Sequence, residues 1–227
     1  MMGVKRWSAV GLLVVMVLAG CAAPGAGAEQ TSSPEGNPVV GPDSPVVAFY
    51  GDSYTLGTGA VDVAHRWSTV ICERRGWVEY NPSVNGLGFV NNRRESVDLP
   101  AMIIAEDPDI VFVTMGLNDN FSYGRVGSGI RDQIEADFAQ LTEALPDARF
   151  IVVEPFWYTD VRPESVEVII GWVHDAADAI GADWIPDASH WIEGHPEWMA
   201  ADGLHPNDDG YAEMARRMET ELASLGL

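Results

Sequence analysis

The sequence predicts an α/β fold with a parallel sheet covered by helices on both faces. Short, fully apolar runs typical of buried strands alternate with longer segments whose apolar residues recur at helical spacing. The predicted strands cover residues 45–50, 77–80, 110–115, 150–153 and 182–185. The predicted helices cover residues 63–75, 98–106, 131–145, 164–180 and 207–222.

In the first half of this pattern, each element has a local signature. The run 45–50 is apolar and ends in Gly-Asp-Ser, which predicts a buried strand entering a tight turn. Helix 63–75 is predicted from the spacing of Val63, Trp67, Val70 and Ile71. Helix 98–106 has Asp98 as its candidate cap and a proline in the first turn.

The second half continues the alternation. The run 110–115 is the clearest strand in the chain, and strands 150–153 and 182–185 follow helices with one apolar face. The residues predicted to face the core from these helices and from the last one are Ile134, Phe138, Leu141, Leu145, Val166, Ile169, Ile170, Val173, Ile180, Tyr211, Met214, Met218 and Leu222.

Four short blocks carry residue types suited to serine chemistry. They are Gly51-Asp52-Ser53, Asn85-Gly86, Gly116-Leu117-Asn118-Asp119 and Asp202-Gly203-Leu204-His205. Ser53 is the candidate nucleophile, His205 its base, and Asp202 the carboxylate that orients His205. The backbone N–H groups of Ser53 and Gly86 and the amide of Asn118 are candidate oxyanion-hole donors. Each block alone also fits an ordinary turn or helix cap; their combination and order favour the catalytic interpretation.

Together these blocks resemble the SGNH (GDSL) hydrolase family, named for that Ser, Gly, Asn and His. The resemblance runs from about Val46 to the C-terminus and implies a flavodoxin-like, three-layer α/β/α sandwich with a mostly parallel sheet. It implies a serine esterase that works through an acyl-enzyme without a metal or an organic cofactor. Gly86 is the expected backbone donor of the second block, although Gly88 is close enough to leave the register open.

The substrate is less defined than the chemistry. Esters of small or medium acyl groups, on carbohydrate or cell-envelope substrates, are the leading expectation. A lysophospholipase or thioesterase, an acyltransferase on the same scaffold, and a non-catalytic surface-binding lipoprotein are the alternatives. The aromatic residues Trp157, Tyr158, Trp184, Trp191 and Trp198 are candidates for stacking on a sugar, with an ordinary core role as the competing interpretation.

The N-terminus predicts export. Lys5 and Arg6 precede an apolar stretch, about 9–19, that is too short to span a membrane. Leu18-Ala-Gly-Cys21 resembles a bacterial lipoprotein cleavage site, which implies lipidation of Cys21; a plain secretory signal is the alternative. The predicted organisation is a signal peptide at 1–20, a lipidated cysteine and flexible tether at 21–45, and a hydrolase domain at 46–227. The domain is then anchored to the outer face of the cytoplasmic membrane, or is otherwise extracytoplasmic.

Composition narrows the partners. The net charge of −21 disfavours nucleic acid and anionic membrane surfaces, so membrane contact is expected through the lipid anchor only. The expected partner is a small-molecule or glycan ester. The two cysteines, Cys21 and Cys72, form no disulfide framework if Cys21 is lipidated, and Cys72 is expected to be a buried apolar residue.

Two further segments invite sharper interpretations. His190, Glu193 and His195 could suggest a metal cluster, but their spacing matches no known ligand motif and a structural role is expected. Residues 120–129 are rich in Gly and Ser, are expected to form a loop, and have a composition that permits a mobile lid.

Overall fold

The computed structural model describes residues 38–227, and its regular elements alternate along the chain. The strands are β1 (Val46–Tyr50), β2 (Val78–Tyr80), β3 (Ile110–Val113), β4 (Arg149–Val153) and β5 (Asp183–Ile185). The α-helices are α1 (Ser53–Leu56), α2 (Trp67–Arg75), α3 (Leu99–Glu106), α4 (Asn120–Val126), α5 (Gly129–Ala144), α6 (Glu164–Ile180) and α7 (Asp208–Ser224). Single 3₁₀ turns lie at Val63–His65, Leu117–Asp119, Ala188–His190 and Pro196–Trp198.

The described strands form one parallel sheet in the order β2-β1-β3-β4-β5. In the centre, β1 pairs with β3 from Val47 opposite Ile110 to Tyr50 opposite Val113. This is the flavodoxin-like strand order, in which the connections change direction between β1 and β3. The predicted strands and the flavodoxin-like parallel sheet are therefore confirmed.

Helices cover both faces of the sheet. On one face, α2 and α7 pack against the side chains that β1 and β3 present there, with Phe49 stacked on Phe112 at 5.2 Å between ring centroids. On the other face, α3, α5 and α6 pack against Ala48, Tyr50 and their neighbours on β3 and β4. Successive strand residues point to opposite faces, so an apolar strand supplies both cores. The three-layer α/β/α prediction is confirmed.

The helix predicted at 63–75 is only partly correct. Its regular part begins at Trp67, because Arg66 has extended backbone angles and separates α2 from the 3₁₀ turn at Val63–His65. Val63, predicted to face the core, has 63% of its surface exposed. The capping carboxylate of Asp62, which accepts from the backbone N–H of Ala64 at 2.9 Å, starts a separate short turn here.

The loop expected at 120–129 is wrong for most of its length. Residues Asn120–Val126 form α4, and Ser122 within it is buried. The glycine-rich composition instead marks the junction of two helices, where Gly127 has a φ of 55° between α4 and α5. The helix at 98–106, by contrast, is confirmed with its cap, since Asp98 accepts from the N–H of Ala101 at 3.2 Å.

The predicted signal peptide, Cys21 and the first part of the tether lie outside the described residues. Residues 38–45 precede β1 without a regular element, and the boundary at Val46 stays a prediction. Cys72 is 2% exposed, which confirms it as a buried residue, and burial raises the pKa of its thiol. Between residues 38 and 227, no helix combines the length and the apolar character that crossing a membrane requires.

Candidate active site

The first and third sequence blocks meet where the strand order reverses. Ser53 begins α1 directly after β1, and Asn118 lies in the 3₁₀ turn directly after β3. Because β1 and β3 are parallel neighbours, their carboxyl ends lie side by side at one edge of the sheet. Open α/β sheets bind ligands in the crevice at this reversal point.

Ser53 occupies the first position of α1, and its backbone N–H is not used by the fold. Asp52 caps the helix, its Oδ1 accepting from the N–H of Tyr54 at 3.0 Å. Within residues 38–227, the N–H of Ser53 donates to no protein acceptor. A free N–H beside the predicted nucleophile is the type of group that an oxyanion hole requires.

The second block is a tight turn from Val84 to Leu87, closed by a bond from the N–H of Leu87 to the oxygen of Val84 at 3.2 Å. Gly86 has a φ of 71° in this turn, a conformation that favours glycine. Its carbonyl accepts from the side-chain amides of Asn91 and Asn92 at 2.8 and 2.9 Å. Its N–H has no acceptor among the described residues, as at Ser53.

Gly88, the alternative donor, has a different role. Its N–H already donates to the oxygen of Asn91 at 2.9 Å. A Cβ at this position would lie 2.5–2.6 Å from the carboxylate of Asp119, so the residue is a glycine because that carboxylate packs against it. The geometry therefore favours Gly86 as the backbone donor of the second block.

Asp119 shapes the loop that follows Gly88. Its fully buried carboxylate accepts the backbone N–H groups of Phe89, Val90 and Asn91 at 2.7, 2.8 and 3.1 Å. Burial raises the pKa of this carboxyl, and the three N–H groups oppose the shift. Asp119 therefore fixes the conformation of this loop.

Asn118 lies between two acceptors. Its Nδ2 donates to Oδ2 of Asp52 at 2.9 Å and to the oxygen of Leu87 at 3.0 Å. A carbonyl oxygen only accepts, so the contact with Leu87 determines which end of the amide is nitrogen. Both N–H bonds are occupied in this structure, and an oxyanion at Nδ2 has to share one of them in a bifurcated bond.

Asp52 is a buried carboxyl next to the predicted nucleophile. Burial raises its pKa to about 7, and the negative charge of Asp119 adds to the rise. Hydrogen bonds from the Tyr54 N–H and from Asn118 act in the opposite direction. The balance leaves Asp52 partly protonated near neutral pH.

His205 and Asp202 form a pair on one turn before α7. Nδ1 of His205 lies 2.7 Å from Oδ2 of Asp202, and Oδ1 of Asp202 accepts the N–H groups of Leu204 and His205 at 2.9 and 3.0 Å. The bond from His205, with those from the two N–H groups, lowers the pKa of Asp202 to about 2. An ionised carboxylate at Nδ1 leaves Nε2 as the nitrogen that can take a proton.

The turn that carries His205 packs against the segment that carries Ser53. Tyr54, next to Ser53, donates its hydroxyl to the oxygen of Leu204 at 2.6 Å, and its ring centroid lies 6.1 Å from that of His205. A Cβ on Gly59 would lie 3.1 Å from Cβ of His205. The structure thus places His205 beside α1, although no hydrogen bond joins Ser53 Oγ to His205 among the described residues.

Comparison with known proteins agrees with this arrangement. The model of the GDSL-like lipase/acylhydrolase family matches residues 49–213, a span that contains all four blocks. The chain belongs to this family. It is an SGNH hydrolase, a carboxylic ester hydrolase by family.

Individual relatives are more distant. A GDSL lipase from Mycobacterium tuberculosis is 28% identical over 184 residues, which cover 76% of this chain and 79% of that protein. Among solved structures, TesA superposes with a TM-score of 0.67 at 18% identity, over 79% of this chain and 99% of that one. Est24, a carbohydrate acetylesterase from Sinorhizobium meliloti, superposes with a TM-score of 0.63 at 17% identity, over 80% of this chain and all of that one. At these identities the structures show the fold alone.

The histidines of this SGNH hydrolase other than His205 do not converge. His190 pairs with Glu193 at 2.5 Å, whereas His195 pairs with Glu197 at 2.7 Å and stacks on Trp198. Within residues 38–227, no group of three or more His, Cys, Asp or Glu is arranged to hold a metal ion.

Most of the aromatic candidates prove to be structural. Trp157 and Trp191 are 3% and 4% exposed and belong to the core, and Trp184 packs against His174. Tyr158 is different, since it lines a cavity of about 420 Å³ beside the turn that carries His205. Asp160, Ile192, Met199 and Gly203 line the same cavity. The N–H of Ala200, also in its wall, donates to the oxygen of His205 at 2.8 Å.

Sequence reasoning missed three supports of the site. It gave no separate role to Asp52, whose carboxyl accepts from the side-chain amide of Asn118. It gave no role to Asn91 and Asn92, which hold the carbonyl of Gly86. The contact of Asp52 with Asn118 joins segments 66 residues apart, so no local spacing signals it. Asn91 and Asn92 lie only five and six residues from Gly86, but their spacing matches no common capping or turn motif.

Proposed function

We propose that this SGNH hydrolase cleaves carboxylic esters of small or medium acyl groups through an acyl-enzyme on Ser53. The observation that carries the proposal is the Asp202–His205 pair, held against α1 by the bond from the Tyr54 hydroxyl to the oxygen of Leu204. This contact holds the predicted base, whose imidazole Asp202 orients, against the segment that begins with Ser53.

The reaction proceeds in two halves. His205 takes the proton of the Ser53 hydroxyl as Oγ attacks the ester carbon, and the same proton passes to the departing alcohol oxygen. Water, deprotonated by His205, then attacks the acyl-enzyme and releases the acid. Asp202 stays ionised and stabilises the imidazolium that forms in each half.

The oxyanion is stabilised by preoriented donors. The N–H groups of Ser53 and Gly86 make no bond within residues 38–227, and the amide of Asn118 lies against Asp52 next to Ser53. Removing one such donor typically costs about 2.7–4 kcal/mol of transition-state stabilisation. These residues are proposed as the oxyanion hole on the strength of that geometry.

The surroundings favour short substrates. Two cavities adjoin the proposed site, one of about 420 Å³ beside His205 and one of about 270 Å³ beside Gly86. The first has apolar and polar walls with Tyr158 among them, which suits a sugar or another polar alcohol. Est24 is named a carbohydrate acetylesterase, which supports a carbohydrate ester as the substrate class.

Hydrolysis of p-nitrophenyl esters from acetate to palmitate tests the proposal. We expect activity to be highest on acetate to hexanoate and to be lost in Ser53→Ala and His205→Ala. Ser128→Ala, which alters an exposed serine whose side chain caps no helix, is the matched control and keeps full activity. Activity retained in Ser53→Ala would contradict the proposed nucleophile, and a preference for palmitate would contradict the short acyl group.

We further propose that the enzyme is exported and anchored through a lipid on Cys21, on the basis of the basic and apolar N-terminus and the sequence before Cys21. Metabolic labelling with a radioactive fatty acid is expected to mark the wild type and Cys72→Ser, but not Cys21→Ser. Equal labelling of Cys21→Ser would overturn the assignment.

A further inference from the structure

A second cavity lies beside the turn that carries Gly86, and none of its lining residues lines the cavity beside His205. It has a volume of about 270 Å³ and is lined by Val84, Asn85, Leu87, Asn92, Arg94 and Val97. Three side chains are apolar, and the other three carry amide or guanidinium groups. Its volume lies just below the range of about 300–1,000 Å³ that is typical of pockets for drug-sized ligands, so it suits a small group.

This cavity is connected to the catalytic residues by single contacts. Asn85 and Leu87 flank Gly86, and the carbonyl of Leu87 accepts from Asn118. Asn92 donates to the oxygen of Gly86 at 2.9 Å. Asn85 accepts from the hydroxyl of Thr58, whose N–H in turn bonds the oxygen of Ser53 at 3.0 Å. The cavity wall is therefore formed by the same turn that carries Gly86, the proposed oxyanion donor.

Arg94 in the cavity wall is a cation without a partner. The positively charged side chains of residues 38–227 other than histidine are all arginines, and most of them bond a carboxylate or another oxygen. Arg94 and Arg74 are the ones whose guanidinium groups make neither a hydrogen bond nor an ion pair. In a chain with a net charge of −21, an unpaired cation at a cavity beside the active site attracts an anion selectively.

The reaction geometry assigns this cavity to the acyl half of the substrate. The departing alcohol takes its proton from His205, so its oxygen faces the His205 turn and the cavity lined by Tyr158 and Gly203. That cavity has Asp160 in its wall and no arginine, so it repels an anionic group. The acyl substituent is left to the Gly86 side, where Arg94 lies.

We propose that the cavity beside Gly86 binds a short acyl group that ends in a carboxylate, and that Arg94 selects for it. The substrates are then monoesters of short dicarboxylic acids. The guanidinium of Arg94 accounts for the terminal carboxylate, and the small volume of the cavity accounts for the short chain. The inference rests on the proposed ester hydrolysis at Ser53. The bond from Ser53 Oγ to the ester carbon forms, the bond to the alcohol oxygen breaks, and water later releases the dicarboxylate.

Monoethyl succinate and ethyl butyrate test the proposal, because they share the alcohol and the chain length and differ in the terminal carboxylate. Ethanol release gives kcat/KM for each ester with the full-length protein. In the wild type we expect the succinate ester to be preferred. In Arg94→Gln the ratio of the two kcat/KM values should fall about tenfold, as expected for loss of a bond to a charged group. Arg94→Lys should keep most of the ratio because it retains the charge.

Arg74→Gln is the matched control, since it removes the other unpaired guanidinium, at the last turn of α2, and should leave the ratio unchanged. Addition of 0.5 M NaCl should reduce the wild-type ratio. An unchanged ratio in Arg94→Gln, an equal fall in Arg74→Gln, or a wild type that prefers ethyl butyrate would each overturn the proposal. Hydrolysis that persists in Ser53→Ala would instead refute the underlying function, so the two failures are distinguishable.

Discussion

Asn118 donates to Oδ2 of Asp52 at 2.9 Å, so the predicted oxyanion donor is oriented by a buried carboxyl next to the predicted nucleophile. The carbonyl of Leu87, on the second block, accepts the other N–H bond. The first three sequence blocks are therefore connected through one amide group. Substitutions at Asn118 and Asp52 should have different consequences, because Asn118 is the proposed oxyanion donor whereas Asp52 acts through it.

Replacement of Asn118 by Ala should lower kcat about 10²–10³-fold with little change in KM, because a donor to the oxyanion acts mainly in the transition state. Steady-state kinetics on p-nitrophenyl acetate measures this. Asn120→Ala is the control, since its amide lies two residues away and accepts from Ser165 instead. If both variants lose the same activity, the role assigned to Asn118 is wrong.

The pKa of Asp52 predicts a pH dependence of stability. Burial raises this pKa from 3.8 to about 7, so the folded protein binds a proton that the unfolded chain has already released between these values. The stabilisation that the proton on Asp52 gives the folded protein is fully present below pH ~4 and is lost as the pH rises to about 7. We expect Asp52→Asn to show a weaker fall of unfolding free energy between pH 4 and 7 than the wild type, measured by urea unfolding. Parallel pH profiles would contradict the assignment.

Asp202→Asn should impair catalysis more than Asp202→Ala does. Oδ1 of Asp202 accepts two backbone N–H groups, so an Asn would keep its oxygen there and present its NH₂ to Nδ1 of His205. That donor favours the tautomer with the proton on Nε2, which cannot accept the proton of Ser53. We expect kcat to fall about 10³-fold or more in Asp202→Asn and less in Asp202→Ala. The reverse order would show that the turn, and not the tautomer, is the main contribution of Asp202.

Gly88 should tolerate no side chain. A Cβ there would lie 2.5–2.6 Å from the Asp119 carboxylate, which the three loop N–H groups hold in place. We expect Gly88→Ala to lower the free energy of unfolding by about 1–3 kcal/mol, as overpacking in a core does. Gly124→Ala on α4, where no atom lies within 4 Å of the new Cβ, should be neutral or stabilising by up to ~1 kcal/mol. Chemical denaturation of both variants measures the difference.

The sequence predicts the strands and the four blocks well because both have local signatures. A strand buried on both faces is apolar throughout, and Asp98 caps its helix within three residues along the chain. The contacts of Asn118 have no such signature, since its partners lie 66 and 31 residues away. The composition of 120–129 predicts a loop because glycine and serine favour loops, but the buried Ser122 and the neighbouring helices stabilise α4 there.

The pairing of β1 with β3 has a consequence for when the enzyme becomes active. Ser53 follows β1, Asn118 follows β3, which is distant from β1 in the sequence, and His205 precedes the last helix. Contacts between residues so far apart in sequence form late in folding, because the long intervening loops must first be closed. A chain still emerging from the ribosome lacks its proposed base, so we expect esterase activity to begin only once nearly the whole domain is available to fold.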